Sequence, residues 1–364
     1  MEISAKMVKE LRDRTGAGMS DCKKALTETN GNIEEAVEFL RKNGQAKAAK
    51  KANRIAAEGV CRIVTNDKFA AVVEVNSETD FVAKNEKFTT FVEQVANQVL
   101  NGSATTIEEL LAEKWYLDES KTVNDVLVEL IAVIGEKLSI RRFEKVESKG
   151  CLGTYTHGGG KVCTIINVET DVVNEAVEEC AHNLGIQVCV LNPQFISKED
   201  MGEANVAHEK EIIRDSALSD PASLPKPIQQ MLFEQAVSKF DEKDAAVYEE
   251  KKKDQYLFNF LSEAAKAALV EAANANKDAI FENKIFTGLV EGRLSKQLKE
   301  ICLADQEYVK AEDGKSSVKQ YIDSVAKAAG ANLKVAQIVR FETGEGMEKK
   351  NEDFAAEVAA QMNA

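Results

Sequence analysis

The sequence predicts an α+β fold in which one small unit occurs twice and a long helical segment is inserted into the second copy. Three observations carry this expectation. Glu169-Thr170-Asp171-Val172-Val173 repeats Glu78-Thr79-Asp80-Phe81-Val82, and the match runs backwards without a gap to Gly150 against Gly59. The similarity returns further on. Thr122-Val123 to Ile134-Gly135 is echoed by Ser317-Val318 to Ala329-Gly330, and Arg142-Phe143-Glu144 by Arg340-Phe341-Glu342. Self-similarity of this kind marks a duplicated unit. Between the second hairpin and the second echo, roughly a hundred residues are charged, helical in pattern and without strand signal.

Residues 2 to about 44 read as three short helices. Ile3, Met7, Val8 and Leu11 make the first stripe, which Gly16-Ala17-Gly18 ends. Ser20 is the expected cap of the second helix, with Cys22, Ala25 and Leu26, stopping at Asn30-Gly31. Asn32 caps the third, with Ile33, Val37 and Leu40, and Asn43-Gly44 is its expected stop. So small a bundle is marginal alone and suits docking better than catalysis. Arg41, Lys42, Lys47, Lys50, Lys51 and Arg54 follow without an acid between them. With no aromatic interleaving for base stacking, the stretch reads as a solvated helical linker in preference to an RNA-binding patch.

Each copy of the core unit then reads strand, polar turn, strand and a Glu-Thr-Asp helix start, with a third strand later (Leu138 to Val146; Leu333 to Glu342). The turns are Asn66-Asp67-Lys68 and His157-Gly158-Gly159-Gly160. Phe69 to Val75 is apolar and β-branched, as a largely buried strand requires. After it, Phe81, Phe88, Phe91, Val92, Val95 and Val99 recur at helical spacing, and Ser77, Thr79 and Asp80 are all competent caps. Cap chemistry accounts for Asp80 but not for Phe81, which is either a staple to its own domain or a plug for another protein. Its replacement by Val172 in the second copy weakens the packing explanation.

All four prolines (193, 221, 225, 227) lie where the second copy departs from the first. Beyond them, Glu203 to Ala217, Ile228 to Asn276 and Phe281 to Leu303 are helical in pattern. They are expected to form an antiparallel hairpin or coiled coil. The chain closes on a helix capped by Asp353, with Phe354, Val358 and Met362 as a narrow stripe that needs a docking surface.

The chain has 364 residues, 44% of them hydrophobic and 30% charged, enough apolar material for several cores. A net charge of −14 argues against a protein whose main task is coating nucleic acid or anionic membrane. No apolar run reaches membrane-spanning length and the N-terminus has no signal-peptide pattern, so a cytoplasmic location is expected. The seven cysteines are an odd number without a C-x-x-C, which favours buried reduced thiols. Phosphate-loop, dinucleotide, zinc-protease and nucleophile-elbow motifs are absent, and the three histidines are dispersed. His157 to Lys161 sits in a hairpin turn with no helix behind it. The expectation is a protein that is not an enzyme and has no cofactor or metal.

Three blocks carry a specific resemblance. They are Val8-Lys9-Glu10-Leu11-Arg12 with Thr15 to Met19 and Asp21 to Leu26; Glu74-Val75-Asn76 with Thr79 to Lys84; and Phe341-Glu342 with Gly344-Glu345-Gly346. In this order they resemble the bacterial translation elongation factor Ts family, guanine nucleotide exchange factors of elongation factor Tu. The resemblance spans nearly the whole chain. It implies a ubiquitin-associated (UBA)-like helical module and basic linker at 1–54 and core subdomains at 55–146 and at 147–196 with 304–344. It further implies a dimerisation-like helical insertion at 197–303 and a C-terminal helical module at 345–364. The insertion is longer than in short family members, with an extra helix around 218–283. The resemblance implies that Thr79, Asp80, Phe81 and Val82 disturb the partner's Mg²⁺ and phosphate site. Arg12, Met19, Ile134, Gly135, His157, Phe354 and Val358 are the implied partner contacts. It also implies elongation factor Tu as partner, with a possible homodimer through the inserted helices, and neither membrane nor direct nucleic-acid binding. The rival classes are an RNA- or ribosome-binding module using residues 41–54 and a helical scaffold in which the insertion is the functional part.

Overall fold

A computed structural model describes residues 3–254 and 256–348. The chain divides into two compact units, one ending at Asn192 and resuming at Ile322, the other running Pro193–Tyr321.

The first unit opens with α1 (Ala5–Thr15), α2 (Met19–Glu28) and α3 (Ile33–Lys51). Leu11, Cys22, Ala25, Leu26 and Ala36 close a small core between them. Two local expectations change. Gly18, not Ser20, occupies the cap position of α2, which places Ser20 within the first turn. Asn43-Gly44 does not stop α3, which continues to Lys51. A glycine inside a helix costs about 0.5–1 kcal/mol relative to alanine, and here tertiary packing offsets it. Gly44 is buried against Val128 and Ala132 of a core helix.

The core continues with β1 (Glu58–Thr65), β2 (Phe69–Ser77), α4 (Asp80–Ala83), α5 (Glu86–Asn101), α6 (Ile107–Ala112), β3 (Lys114–Trp115), β4 (Asp118–Thr122), α7 (Val123–Ile134) and β5 (Leu138–Glu147). The second copy supplies β6 (Gly150–His157), β7 (Val162–Glu169) and α8 (Glu175–Leu191). Two antiparallel sheets result, ordered β1-β2-β5 and β6-β7 with a last strand, β8 (Lys334–Glu342), beside β7. The hairpins, Glu58↔Ser77 to Thr65↔Ala70 and Gly150↔Glu169 to His157↔Val162, have the same length and the same loop length, but the second is shifted by one residue against the sequence match of Gly59 to Gly150. The β3–β4 ribbon is an addition to the two expected sheets. A strand of two residues leaves no period to read, although Trp115 anchors it by stacking on Phe91 at 6.0 Å.

The two main sheets face each other. Cys61, Ala70, Val72 and Val146 of one join Cys163, Ile165, Val339 and Phe341 of the other in a single apolar cluster. On the outer side of the first sheet, Ala71, Val73 and Val75 pack with Phe88, Phe91 and Val95 of α5 and Leu127 and Ile131 of α7. Helix α8 covers β6 and β7. The central strands β2 and β7 are therefore covered on both faces, which explains continuous apolar runs instead of alternation.

One carboxylate lies inside this apolar structure. Glu74 of β2 is fully buried and accepts from Arg142 Nε at 2.5 Å, the Gly344 amide at 2.8 Å, Arg141 at 3.0 Å and Asn76 Nδ2 at 3.1 Å. Arg142 also donates to the Glu342 carbonyl at 3.0 Å and lies over the Phe341 ring. Burial pushes the Glu74 carboxyl up. The Gly344 amide, Arg142, Asn76 and Arg141 outweigh it and hold the group below the usual carboxylate range.

The second unit carries α9 (Lys198–Ser219), α10 (Lys226–Ala236), α11 (Glu242–Lys251), α12 (Glu263–Ala275), α13 (Lys277–Phe281) and α14 (Lys284–Ile301). After it comes α15 (Val318–Ala329), which leads into β8. The expected hairpin or coiled coil is replaced by a compact helical unit. Leu218, Leu232, Phe233, Leu269, Ile280, Phe286 and Leu294 share one core. The reason lies in the breaks. The run from Ile228 to Asn276 is interrupted at Val237–Lys239 and again between Lys251 and Glu263. The chain can then fold back until Phe233 stacks on Tyr248 at 4.8 Å and meets Phe258 at 5.3 Å. The Asp244 carboxylate fixes the second return by accepting the Ser262 amide at 2.9 Å, at the start of α12. No helix among the described residues is long and apolar enough to cross a membrane.

Two outcomes test this packing. Glu74→Ala removes the shared acceptor of Arg141, Arg142 and the Gly344 amide and is expected to lower the unfolding free energy by about 3 kcal/mol in urea titration. The Glu74 contribution is complete above the unfolded glutamate pKa of about 4.3 and is lost as the pH falls through the lower folded value. Glu74→Gln should therefore flatten the acid limb of the stability curve; an unchanged limb would mean the carboxylate is not ionised in the fold. All seven cysteines are buried, and burial pushes the Cys61 thiol up to about 12 and the Cys163 thiol up to about 11. An aromatic disulfide reagent at about pH 8 should react with these two thiols only as fast as the fold opens.

Candidate functional site

Strand β2 delivers the chain to Glu78-Thr79, and α4 begins at once. Thr79 is extended (φ −129°, ψ 154°) and its hydroxyl accepts the Val82 amide at 3.4 Å, so Thr79 is the cap. Asp80 occupies the first helical position instead, paired with Lys84 at 2.7 Å, whose hydrogen bond holds the Asp80 carboxyl below its ordinary range. The short helix stops after Ala83, and Asn85 caps α5 through the Lys87 amide at 2.9 Å.

The stripe expected to run from Phe81 to Val99 on one helix is thus broken by a corner. Phe88, Phe91, Val92, Val95 and Val99 are buried, whereas Phe81 is 82% exposed. The half-buried Val82 and Ala83 pack against the core cluster beneath. Two small apolar side chains hold the turn down while it lifts the ring into solvent.

The corner is fastened from the loop between α7 and β5. Glu136 Oε2 accepts the amides of Glu78 at 3.1 Å and Thr79 at 3.0 Å, and Oε1 accepts the Thr79 hydroxyl at 2.7 Å. In return, Glu78 Oε1 accepts the Lys137 amide at 2.6 Å and the Arg54 guanidinium at 3.2 Å. The Lys137 ammonium donates to the Arg54 carbonyl at 2.8 Å, and Lys51 donates to the Gly135 carbonyl. Thr79 to Val82, Ile134, Gly135 and the end of α3 therefore form one assembly. Ile134 packs on the same cluster as Val82, and Gly135 closes α7 in the left-handed conformation at φ 88°.

The other expected positions lie elsewhere. Arg12 and Met19 are exposed on either side of the Gly16–Gly18 loop, at one end of the N-terminal bundle. His157 is exposed at the β6–β7 turn, with its Nδ1 3.2 Å from the Tyr155 hydroxyl. That turn is not the loose element its glycines suggest. The Gly160 carbonyl accepts the Cys61 amide of β1 at 2.8 Å, and a Cβ at Gly160 would lie 2.5 Å from the Cys61 carbonyl oxygen. Phe354 and Val358 fall outside the described residues.

The repeated letters do not repeat the corner. Glu169-Thr170-Asp171 starts no helix; Thr170 turns back on the Val172 amide at 3.2 Å and Asp171 accepts the Asn332 amide at 3.2 Å. Helix α8 begins later, at Glu175 behind the cap Asn174. By the match of Gly135 to Gly330, the position of Glu136 is Ala331 in the second copy, which has no carboxylate to offer. Glu136 is the residue that inspection of the motif alone missed. The signal was present in the repeat, as a charged residue in one copy and a methyl group in the other.

The basic stretch is largely engaged. Arg41 pairs with Asp125 at 2.9 Å, Lys47 with Asp21 at 3.0 Å and Arg54 with Glu78, while Lys51 holds the Gly135 carbonyl. The Asp125, Glu78 and Gly135 contacts dock the stretch on the core and the Asp21 contact ties it to α2, which leaves it poorly described as a solvated linker.

A model of the elongation factor TS family matches residues 78–345, which include the corner, the inserted unit and β8. Elongation factor Ts of Clostridium botulinum strain Eklund 17B is 42% identical over 99% of both chains. The proteins of that name from Clostridioides difficile strain 630 and Clostridium perfringens strain 13 are 41% and 42% identical, over 99% and 98% of both chains. With the similarity running from one end to the other and the family match beginning at Glu78, this chain belongs to the elongation factor Ts family.

Proposed function

We propose that the protein is the guanine nucleotide exchange factor of translation elongation. It binds elongation factor Tu carrying GDP, disturbs the Mg²⁺ and phosphate site through Thr79 to Val82, and promotes GDP release so that GTP can enter. No covalent bond changes, so it is not an enzyme in the chemical sense. The observation that carries the mechanism is Phe81: a large ring 82% exposed on a turn that is capped, packed from below and hydrogen-bonded from the side. Exposed aromatics on rigid supports suit insertion into a partner, because little entropy is lost when they bind.

The partner's nucleotide site is vulnerable to such a wedge. A phosphate-loop protein holds its nucleotide through backbone amides and a Mg²⁺ that tolerates little departure from octahedral geometry. Burying one Phe side chain contributes about 1.5–3 kcal/mol. That does not expel nucleotide alone. Summed with docking at Arg12, Met19, Ile134, Gly135 and His157, it can hold a distorted partner. Linkage then requires nucleotide to weaken the factor's grip by the same factor. The C-terminal Phe354 and Val358 belong to this proposal as further docking residues. The ion pairs along α3 count against an RNA-binding role for residues 41–54. A homodimer through residues 197–303 would rest on side chains exposed on that unit, such as Ile212 and Ile285, since its core is already closed.

Phe81→Ala is expected to leave stability within about 0.5 kcal/mol, as at other surface sites. Release of labelled GDP from elongation factor Tu should slow by about tenfold or more, the equivalent of losing at least 1.4 kcal/mol. A loss of several kcal/mol in denaturant titration would make Phe81 a core residue and end the wedge proposal. Moving the ring tests the geometry: Phe81→Val combined with Val172→Phe should release GDP as slowly as Phe81→Val alone, because the second copy presents no helical turn at that position. Recovery of the wild-type rate would show that the ring, not its support, decides.

A further inference from the structure

The second copy of the unit is an internal control for the first. Both contain Glu-Thr-Asp after the central strand, yet only the first follows it with a helical turn that raises a side chain from the surface. Among the groups around the corner, Glu136 marks the difference. Both of its carboxylate oxygens are occupied, by the amides of Glu78 and Thr79 and by the Thr79 hydroxyl. Donation of that hydroxyl's proton to Glu136 leaves its lone pair to accept the Val82 amide, so one contact orients the next. Glu78 answers by accepting the Lys137 amide. The two loops are cross-clamped, each by the other's carboxylate.

We propose that Glu136 is a positioning residue for nucleotide exchange: it orders the Thr79 cap and thereby sets the direction in which Phe81 projects. It does so without touching the partner's nucleotide, since its oxygens are spent within the corner. The inference rests on the exchange-factor reading above. Hydrogen bonds from backbone amides to an ionised carboxylate are stronger than those to a neutral group. A neutral replacement of the same shape therefore weakens the clamp without emptying the site. Glutamine can still accept the Glu78 and Thr79 amides through its carbonyl oxygen, but without the charge, and its amide nitrogen can only donate to the Thr79 hydroxyl, whose proton then loses its acceptor.

The test uses the full-length protein, as wild type and as Glu136→Gln and Glu136→Ala. Amide hydrogen exchange on the free protein reads the corner directly. The Glu78 and Thr79 amides should exchange about tenfold faster or more in both variants, while Val73 and Val75 in β2 stay protected and report an intact sheet. Release of labelled GDP from elongation factor Tu, followed against factor concentration, reads the consequence. The saturated rate should fall about tenfold, with the half-saturating concentration changing less. A role confined to stability would instead lower protection throughout and leave the saturated rate of the folded fraction unchanged. If the variants lose the β2 protection, Thr79→Val keeps the side-chain size, removes the 2.7 Å contact and is read by the same exchange measurement. Corner amides that remain as protected as in wild type, or a saturated rate that survives their deprotection, would overturn the proposal. Wild-type protein that leaves GDP release unaltered would remove the exchange reading itself, a failure seen before any variant is compared.

Discussion

The buried carboxylate of Glu74 is the interaction on which the arrangement of the core depends. It lies on the strand that both layers of the first unit cover, where an unpaired charge would be untenable. Its neutralising groups come from β5 and from the turn after β8, so satisfying this one side chain ties the end of the second copy to the centre of the first. Burial alone would favour the neutral acid; the donors reverse that preference. Apolar contact between the facing sheets is non-directional and tolerates sliding. The Glu74 contacts are directional and supply a register that the valines and alanines around them do not.

The same strand ends at Ser77 and delivers the chain to the corner at Glu78. There the problem is inverted, since a large apolar ring must stay out of the core. A four-residue helix is too short to hold itself, because nucleation fixes several dihedral angles for each early hydrogen bond. The structure supplies the stability from outside, through the packing of Val82 and Ala83 and the reciprocal clamp of Glu136 and Glu78. The N-terminal bundle takes part as well. Lys51, at the end of α3, binds the Gly135 carbonyl, and Arg54, just beyond it, binds the clamp. The N-terminal bundle and the corner that carries Phe81 are thus mechanically continuous. They do not behave as beads on a linker.

Duplication supplied two equivalent frames, and divergence occurred in the contacts between elements more than in the elements themselves. The two hairpins keep the same length and loop, and Asn76 and Asn167 each donate to a backbone carbonyl, of Glu58 at the start of β1 and of Glu147 at the end of β5. What differs is a carboxylate in one inter-element loop and a methyl group in the other. The second copy used its freedom differently, pinning its Gly-rich turn on β1 and accepting a separate helical unit between α8 and β8.

The sequence by itself determined the strands of the two main sheets, the duplication, the two hairpin turns and the exposed candidate at Phe81. Each of these is written in local pattern: β-branched runs, turn residues, and letters that recur at one spacing. Tertiary structure alone decided the rest. Whether Gly44 ends a helix depended on Val128 and Ala132, more than eighty residues away. Whether the inserted helices would form a two-helix hairpin or a closed unit depended on Phe233 meeting Tyr248 and Phe258. Glu-Thr-Asp starts a helix in the copy where Glu136 of another loop accepts its amides, and starts none in the copy that has Ala331 at that place. Propensity differences per residue are a fraction of a kcal/mol to about one, and charged hydrogen bonds or buried side chains from distant elements are worth more. Where the two conflict, the distant contact prevails, and it can be read only once the chain has been folded back upon itself.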